Sequence, residues 1–240
     1  MSESSDAVLE TEPRRFRAYP AYKDSGVDWL GEIPVGWSLK RLKRVVRFQG
    51  GGTPTKDNVE YWRGEIPWVS PKDMKTRVVS ESEDHVSEDA VRESSLRLLD
   101  PPAVLMVVRG MILAHTFPVA LTAVPVTINQ DMKALRPKPG CAAQYLAHLL
   151  EGISSLILSL VEESAHGTKC LRTEIWKGIN LFLPSPAEQA DICEELDRHN
   201  ERLSLLVGRI GRSIDRLREY RTALISAAVT GKIDVRQEVA

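Results

Sequence analysis

The stretch SPAEQADICEELDRHNERLSLLVGRIGRSIDRLREYRTALISAAVTG (Ser185–Gly231) reads as one long helix with both ends marked. Ser185 as N-cap, Pro186 at the first helical position and Glu188 at the third form a capping box with a proline start. Thr230-Gly231 is the usual C-terminal breaker. Between them Leu196, Leu203, Ile210, Leu217 and Leu224 recur at heptad spacing. Ile192, His199, Leu206, Ser213, Tyr220 and Ala227 occupy the companion positions. A helix of about 43 residues is roughly 65 Å long. A small domain cannot bury a stripe of that length, so the seam of Ile192, Leu196, Leu203, Leu206, Ile210, Leu217, Tyr220 and Leu224 asks for a partner helix.

The charge along this helix is split end to end. From Glu188 to Glu201 the acids are Glu188, Asp191, Glu194, Glu195, Asp197 and Glu201, against Arg198. From Arg202 to Arg221 the bases are Arg202, Arg209, Arg212, Arg216, Arg218 and Arg221, against Asp215 and Glu219. Acid first and base last suits the helix dipole. It also suits an antiparallel copy of the same helix, which lays acid against base at both ends. His199 on the seam fits a register-setting role better than a metal-binding one.

The rest of the chain is large enough for its own core. Removing the helix and a polar start from 240 residues leaves about 165, ample for one domain. The net charge of -1 gives no bulk field, so a polyanionic partner would meet local patches. Three well-separated cysteines, Cys141, Cys170 and Cys193, show no zinc spacing. With no leader sequence expected in the polar, acidic N-terminus, this points to a reducing cytoplasm. The apolar runs at Ala103–Val108 and Leu156–Val161 are too short to span a bilayer.

Residues 1–18 read as a disordered lead-in. Tyr19–Trp37, rich in aromatics, Gly and Pro, reads as an ordered loop. Leu39–Phe48 interleaves apolar and basic residues at a spacing that favours a short amphipathic helix, though Val45-Val46-Arg47-Phe48 could finish as strand. Ile66–Ser70, Val104–Val108, Met111–His115, Val119–Ala123, Met132–Leu135 and Asn180–Leu183 read as strands. Ser87–Leu98 and Gln144–Val161 read as helices, the first capped by Ser87 and the second interrupted near Gly152. The expected fold class is α+β, a globular domain over 19–184 followed by the long helix over 185–231 and a tail over 232–240.

Enzyme motifs are nearly absent. Asp100-Pro101-Pro102 lacks the aromatic that would stack on a flipped base, and Ala103 follows instead. Asp131-Met132-Lys133 lacks the upstream acid of a nuclease site and reads as a strand start. Gly50–Pro54 lacks P-loop spacing. The five histidines, His85, His115, His148, His166 and His199, form no metal pattern. Binding signals are present but short. The glycine loop leading to Lys56 could approach phosphate or serve as a flexible turn. Lys72 and Asp73 sit at a strand exit. Asn129-Gln130-Asp131 could read a base or form an Asx turn. His166-Gly167-Thr168-Lys169 is a phosphate clamp or a helix cap.

Several of these strings together resemble the specificity subunit of type I restriction-modification systems. They are Tyr22-Lys23-Asp24-Ser25-Gly26-Val27-Asp28-Trp29-Leu30-Gly31-Glu32-Ile33-Pro34, Gly51-Gly52-Thr53-Pro54, Ile66–Met74, Val108-Arg109-Gly110 with Ile128-Asn129-Gln130-Asp131, Leu183-Pro184 with Glu188-Gln189, and Ala223–Val235. The resemblance implies a non-catalytic subunit without a cofactor of its own. Its partners would be double-stranded DNA, a methyltransferase subunit using S-adenosylmethionine and a restriction (translocase-nuclease) subunit using ATP. The family carries two target-recognition domains spaced by two long helices, whereas one of each is present here. Two copies pairing antiparallel would rebuild that plan on a palindromic split site. Within it, Lys56, Lys72, Arg109, Gln130, Thr168 and Lys169 are the expected DNA contacts. Gly208 and Gly211, on the outward helix face, are the expected approach points for a methyltransferase helix. Alternatives are a subunit of a related, type IIB-like restriction system and a coiled-coil decoy that binds no DNA.

Overall fold

The chain enters through a hairpin whose turns demand glycine. β1 (Tyr22–Asp24) pairs antiparallel with β2 (Glu32–Pro34), and Gly26 and Gly31 both take positive φ, +67° and +64°, which side chains disfavour. The sequence suggested a loop here. Strands of three residues are too short to show alternation, and aromatic packing holds them instead. Trp37 stacks on Phe182 at 5.8 Å and Tyr19 meets Trp37 edge-on at 5.8 Å. The computed structural model describes residues 17–164 and 167–236; the expected lead-in before residue 17, His166 and the tail beyond 236 lie outside the described residues.

The basic segment that follows is mostly strand. β3 (Ser38–Arg41) and β4 (Val46–Gly50) flank a single helical turn, α1 (Leu42–Val45). The helix expected over Leu39–Phe48 is thus confined to Leu42–Val45, and its allowed strand finish is present as β4. β4 pairs antiparallel along its length with β11 (Met132–Pro137), Phe48 opposite Leu135, and that pairing outweighs local helical spacing.

β5 (Ile66–Val69), β6 (Val78–Val79), β7 (His85–Val86), α2 (Glu88–Glu93), β8 (Val104–Val107), β9 (Val119–Thr122) and β10 (Thr127–Ile128) lie between β4 and β11. α2 keeps Ser87 as its cap, the Ala90 N–H donating to Ser87 Oγ at 3.2 Å. It ends at Glu93, earlier than expected, because Leu96 and Leu99 leave the helix to be fully buried. Met111–His115 is a second correction: Met111–Ala114 forms a 3-10 turn after Gly110 at φ +131°. A short apolar run fits either state, and only Leu113 of it is buried.

The main sheet runs β4-β11-β8-β9-β6, with β6 parallel to β9 and the others antiparallel. A smaller sheet runs β10-β5-β7, with β10 parallel to β5. β8 is buried on both faces, as a central strand must be. α3 (Ala143–Gly152) and α4 (Ser154–Ser159) break where the sequence placed the break. β12 (Glu162–Glu163), β13 (Lys169–Cys170), α5 (Thr173–Gly178) and β14 (Asn180–Leu183) complete the head, with β14 pairing back to β3.

α6 spans Pro186–Val229, 44 residues. Ser185 Oγ accepts the Glu188 N–H at 3.2 Å. The reciprocal arm of the capping box is not made, because the Glu188 carboxylate instead accepts from Trp37 Nε1 at 2.9 Å. At the far end the Lys232 N–H donates to Ala227 O at 2.8 Å and the Gly231 N–H to Ala228 O at 3.2 Å. With Gly231 at φ +70°, this is a Schellman stop. Gln189 and Cys193 are buried against the head. Beyond Leu203 the seam lies in solvent, with Ile210 59% and Leu217 66% exposed. No described helix is long and apolar enough to cross a membrane.

Candidate nucleic-acid interface

Four loops leave one edge of the sheets together, and the strand pairing dictates it. β4 ends at Gly50 opposite Lys133, and β11 begins at Met132 opposite Val107, the end of β8. Gly51–Thr55, Gln130–Asp131 and Val108–Gly110 therefore emerge side by side. Because β10 runs parallel to β5, Ser70–Asp73 exits at the same end as Asn129. β13 closes the row: the Gly110 N–H donates to Lys169 O at 2.9 Å and the Leu171 N–H to Val108 O at 2.8 Å. Arg109, Gln130, Thr168 and Lys169 are thus neighbours on one rim, although they are spread over 60 residues of sequence.

The glycine loop has a packing reason. A Cβ on Gly51 would sit 2.0 Å from the Asn129 carbonyl oxygen. The Gly52 N–H is spent on Ile128 O at 2.9 Å, and its carbonyl accepts from Trp68 Nε1 at 2.9 Å. These glycines clamp backbone to backbone and hold Thr53 at the rim, where its hydroxyl donates to the Gln130 side-chain oxygen. Asn129 is buried, and its side chain accepts the Asp131 N–H at 3.0 Å. The Asx turn is its use, and it leaves Gln130 exposed.

The cations on the rim differ in availability. Arg109 and Lys56 are exposed and form no ion pair among the described residues. Lys72 is bound to Asp84 at 2.8 Å and Glu83 at 3.0 Å, and the hydrogen bonds it donates to these carboxylates hold its pKa above the ordinary lysine range. Lys169 pairs with Glu163 at 2.8 Å, holding that carboxyl below its usual pKa. A phosphate reaching Lys72 or Lys169 must displace a carboxylate. Asp73 is structural: it accepts from the Ser70 N–H and hydroxyl at 2.8 Å. Lys56 also borders a groove of about 410 Å³ walled by Trp62, Trp68 and Asp84. Lys133, legible in the sequence only as part of the Asp131-Met132-Lys133 strand start, also reaches this edge, its Nζ 3.1 Å from where a Gly50 Cβ would be. The alternation of β11 was its available signal.

Where the head meets α6, a polar junction went unread in the sequence. His148, its side chain only 7% exposed, lies between Arg77 (Nη2 to Nδ1, 2.6 Å) and Asp197 of α6 (3.1 Å from Nε2). This arrangement suits a neutral ring that accepts at Nδ1 and donates at Nε2. Burial first, and then the Arg77 charge, hold its pKa below the ordinary value, against the pull of Asp197 and Glu151. Gln189 ties the same helix face to the head: its side chain accepts from Ala142 N at 2.8 Å and donates to Gly140 O at 2.9 Å.

Gly208 and Gly211 lie in the open. A Cβ on Gly211 would meet nothing within 4 Å, and one on Gly208 only the Arg212 guanidinium at 3.7 Å. Nothing among the described residues requires glycine there.

The chain is a mixed α+β head carried on a long helix with a solvent-facing seam. The chain belongs to the type I restriction modification DNA specificity domain family, which it matches over residues 34–211. It is 34% identical over 208 residues to the specificity subunit of the EcoR124I/EcoR124II type I restriction enzyme of Escherichia coli, covering 86% of this chain and 51% of that one. It is 30% identical over 187 residues to the MjaIX specificity subunit of Methanocaldococcus jannaschii, covering 76% and 41%. The chain thus spans about half the length of these curated relatives. Among solved structures, a chain described under the assembly and conformational transition of the type I R-M system shares the fold (TM-score 0.66, 20% identity), covering 86% of this chain and 48% of that one. The HsdS subunit from Thermoanaerobacter tengcongensis also shares it (TM-score 0.57, 20% identity), covering 77% and 41%.

Proposed function

We propose that the protein is a non-catalytic DNA-reading subunit. Its head recognises one half of a split site, and two copies joined antiparallel through α6 present two heads to an inverted repeat. The observation that carries this reading is the convergence of Arg109, Gln130, Thr53 and Lys56 on one rim, with the Arg109 guanidinium exposed to meet a base edge, the Gln130 amide able to meet one by exchanging its Thr53 hydroxyl partner, and Lys56 placed to meet phosphate. Lys72, Thr168 and Lys169 join that surface, the two lysines by exchanging their carboxylate partners for phosphates. Gly208 and Gly211 let a methyltransferase helix approach closely. Methyl transfer with S-adenosylmethionine and ATP-driven translocation and cleavage belong to the partner subunits.

Selection of bound duplexes from a random-sequence library, with the methyltransferase partner present, tests the reading. The expected product is a single enriched inverted repeat with an unspecified centre. Recovery of no enriched sequence, or of an asymmetric one, contradicts it.

A further inference from the structure

An exposed aromatic patch of the head lies beside the first turn of α6. Tyr22 and Trp29 are each 43% exposed, and Val35 beside them is 52% exposed. Trp29 and Trp37 pack on Phe182 at 6.5 and 5.8 Å, so the patch is one surface continuous with β14. At the other end of α6, the segment after the Schellman stop exposes Ile233 and Val235, at 41% and 60%. Among the described residues, both surfaces remain open to solvent.

The helix faces say how the two relate. Gln189, Cys193 and Asp197 point at α3, through buried contacts and the Asp197–His148 bond. Glu188, which holds Trp37, lies one helical turn before Ile192 and so belongs to the seam face. The aromatic hairpin therefore stands at the end of the seam itself. The seam runs from Ile192 to Leu224, so a symmetric antiparallel pair crosses at Gly208. In that register Ser185 of one copy stands opposite Gly231 of the other. The segment Lys232–Arg236 then leaves the partner's helix directly onto β14 and the hairpin. Charge agrees: the hairpin carries Asp24, Asp28 and Glu32 against Lys23, and the segment carries Lys232, its Arg236 being paired with Asp234 at 2.8 Å.

We propose that residues 232–236 of each copy clasp the aromatic hairpin of the other, with Ile233 and Val235 seated on Trp29 and Tyr22. The inference rests on the antiparallel homodimer. The clasp would close the dimer at both ends, so each head is held by its own helix on one side and by its partner's tail on the other. It would fix head orientation in a way that a seam alone does not, since two helices can slide by a heptad.

The test replaces Ile233 with the photo-crosslinking residue p-benzoylphenylalanine in the full chain, using mixed isotopically heavy and light copies, with mass measured in solution. The expected result is a dimer whose heavy-to-light cross-links fall within residues 19–37. A dimer whose cross-links fall elsewhere overturns the clasp while leaving the homodimer standing; the patch then goes to another occupant, such as a methyltransferase segment. A monomer removes both. In parallel, the double substitution Ile233→Asp with Val235→Asp, at positions exposed in the single chain, is expected to raise the dimer dissociation constant at least about tenfold without lowering the melting temperature of the head. An unchanged dissociation constant overturns the clasp.

Discussion

At the scale of single residues, contacts already made decide which side chains remain available. Arg109 is exposed and without an ion pair among the described residues, whereas Lys72 is committed to Asp84 and Glu83. Arg109→Ala is therefore expected to weaken specific DNA binding by about tenfold or more, the cost of one base-edge or phosphate contact, with no change in melting temperature. Lys72→Ala should cost less than about threefold, because its charge is already compensated. Equal losses in a titration at fixed salt would contradict this ordering. Gly51 makes the opposite case, a residue of pure packing. With the Asn129 carbonyl 2.0 Å from its missing Cβ, Gly51→Ala forces backbone apart and is expected to destabilise the head by about 3 kcal/mol in denaturant unfolding. His148 adds a pH dependence. Its folded pKa lies below its ordinary 6.5, so the unfolded chain takes up a proton at higher pH than the folded one. The junction's contribution is complete above pH about 6.5 and is lost as pH falls through that value toward the folded pKa. Unfolding midpoints between pH 7 and 5 should fall for the natural chain and flatten for His148→Gln, which keeps an acceptor and a donor but cannot charge. Parallel curves for the two would refute this.

At the scale of elements, local signals predict well only where structure is local. α6 was readable to within a residue or two because its cap, its stop and its heptads are all written inside it. The break between α3 and α4 was readable for the same reason. The segment Leu39–Phe48 was not, because its strand state depends on pairing with β11, more than 80 residues away. Met111–Ala114 failed because four apolar residues carry no period. The candidate rim was legible as a set of motifs but not as a place: no spacing says that Gly51, Arg109 and Gln130 meet, since their meeting follows from sheet order. Gly208 and Gly211 lend themselves to a test at this scale. Each costs about 1 kcal/mol in a helix interior, and no contact in the chain repays it. Leucine at both positions is expected to raise the melting temperature of the isolated protein while abolishing co-purification of the methyltransferase. Intact co-purification would reduce these glycines to a tolerated weak point.

At the scale of the whole molecule, α6 becomes a length standard. The head is anchored near Cys193, fifteen residues before the crossing point at Gly208. Two anchors in an antiparallel pair are then about 45 Å apart along the helices, from the rise of 1.5 Å per residue. That is between one and two DNA turns of about 34 Å, so the half-sites should be centred roughly 13 base pairs apart. Inserting one heptad after Arg209 keeps every seam residue in phase. It lengthens the anchor distance by about 10 Å, or roughly three base pairs. The bases at each end of the enriched site should not change, because the rim is untouched. The unspecified centre should grow by about three positions, with a loss of affinity to the extent that the added DNA twist misaligns the heads. An insertion that leaves the spacing as it was would mean that α6 does not set the distance. The antiparallel spacer would then have to be abandoned even if the chain remained a dimer.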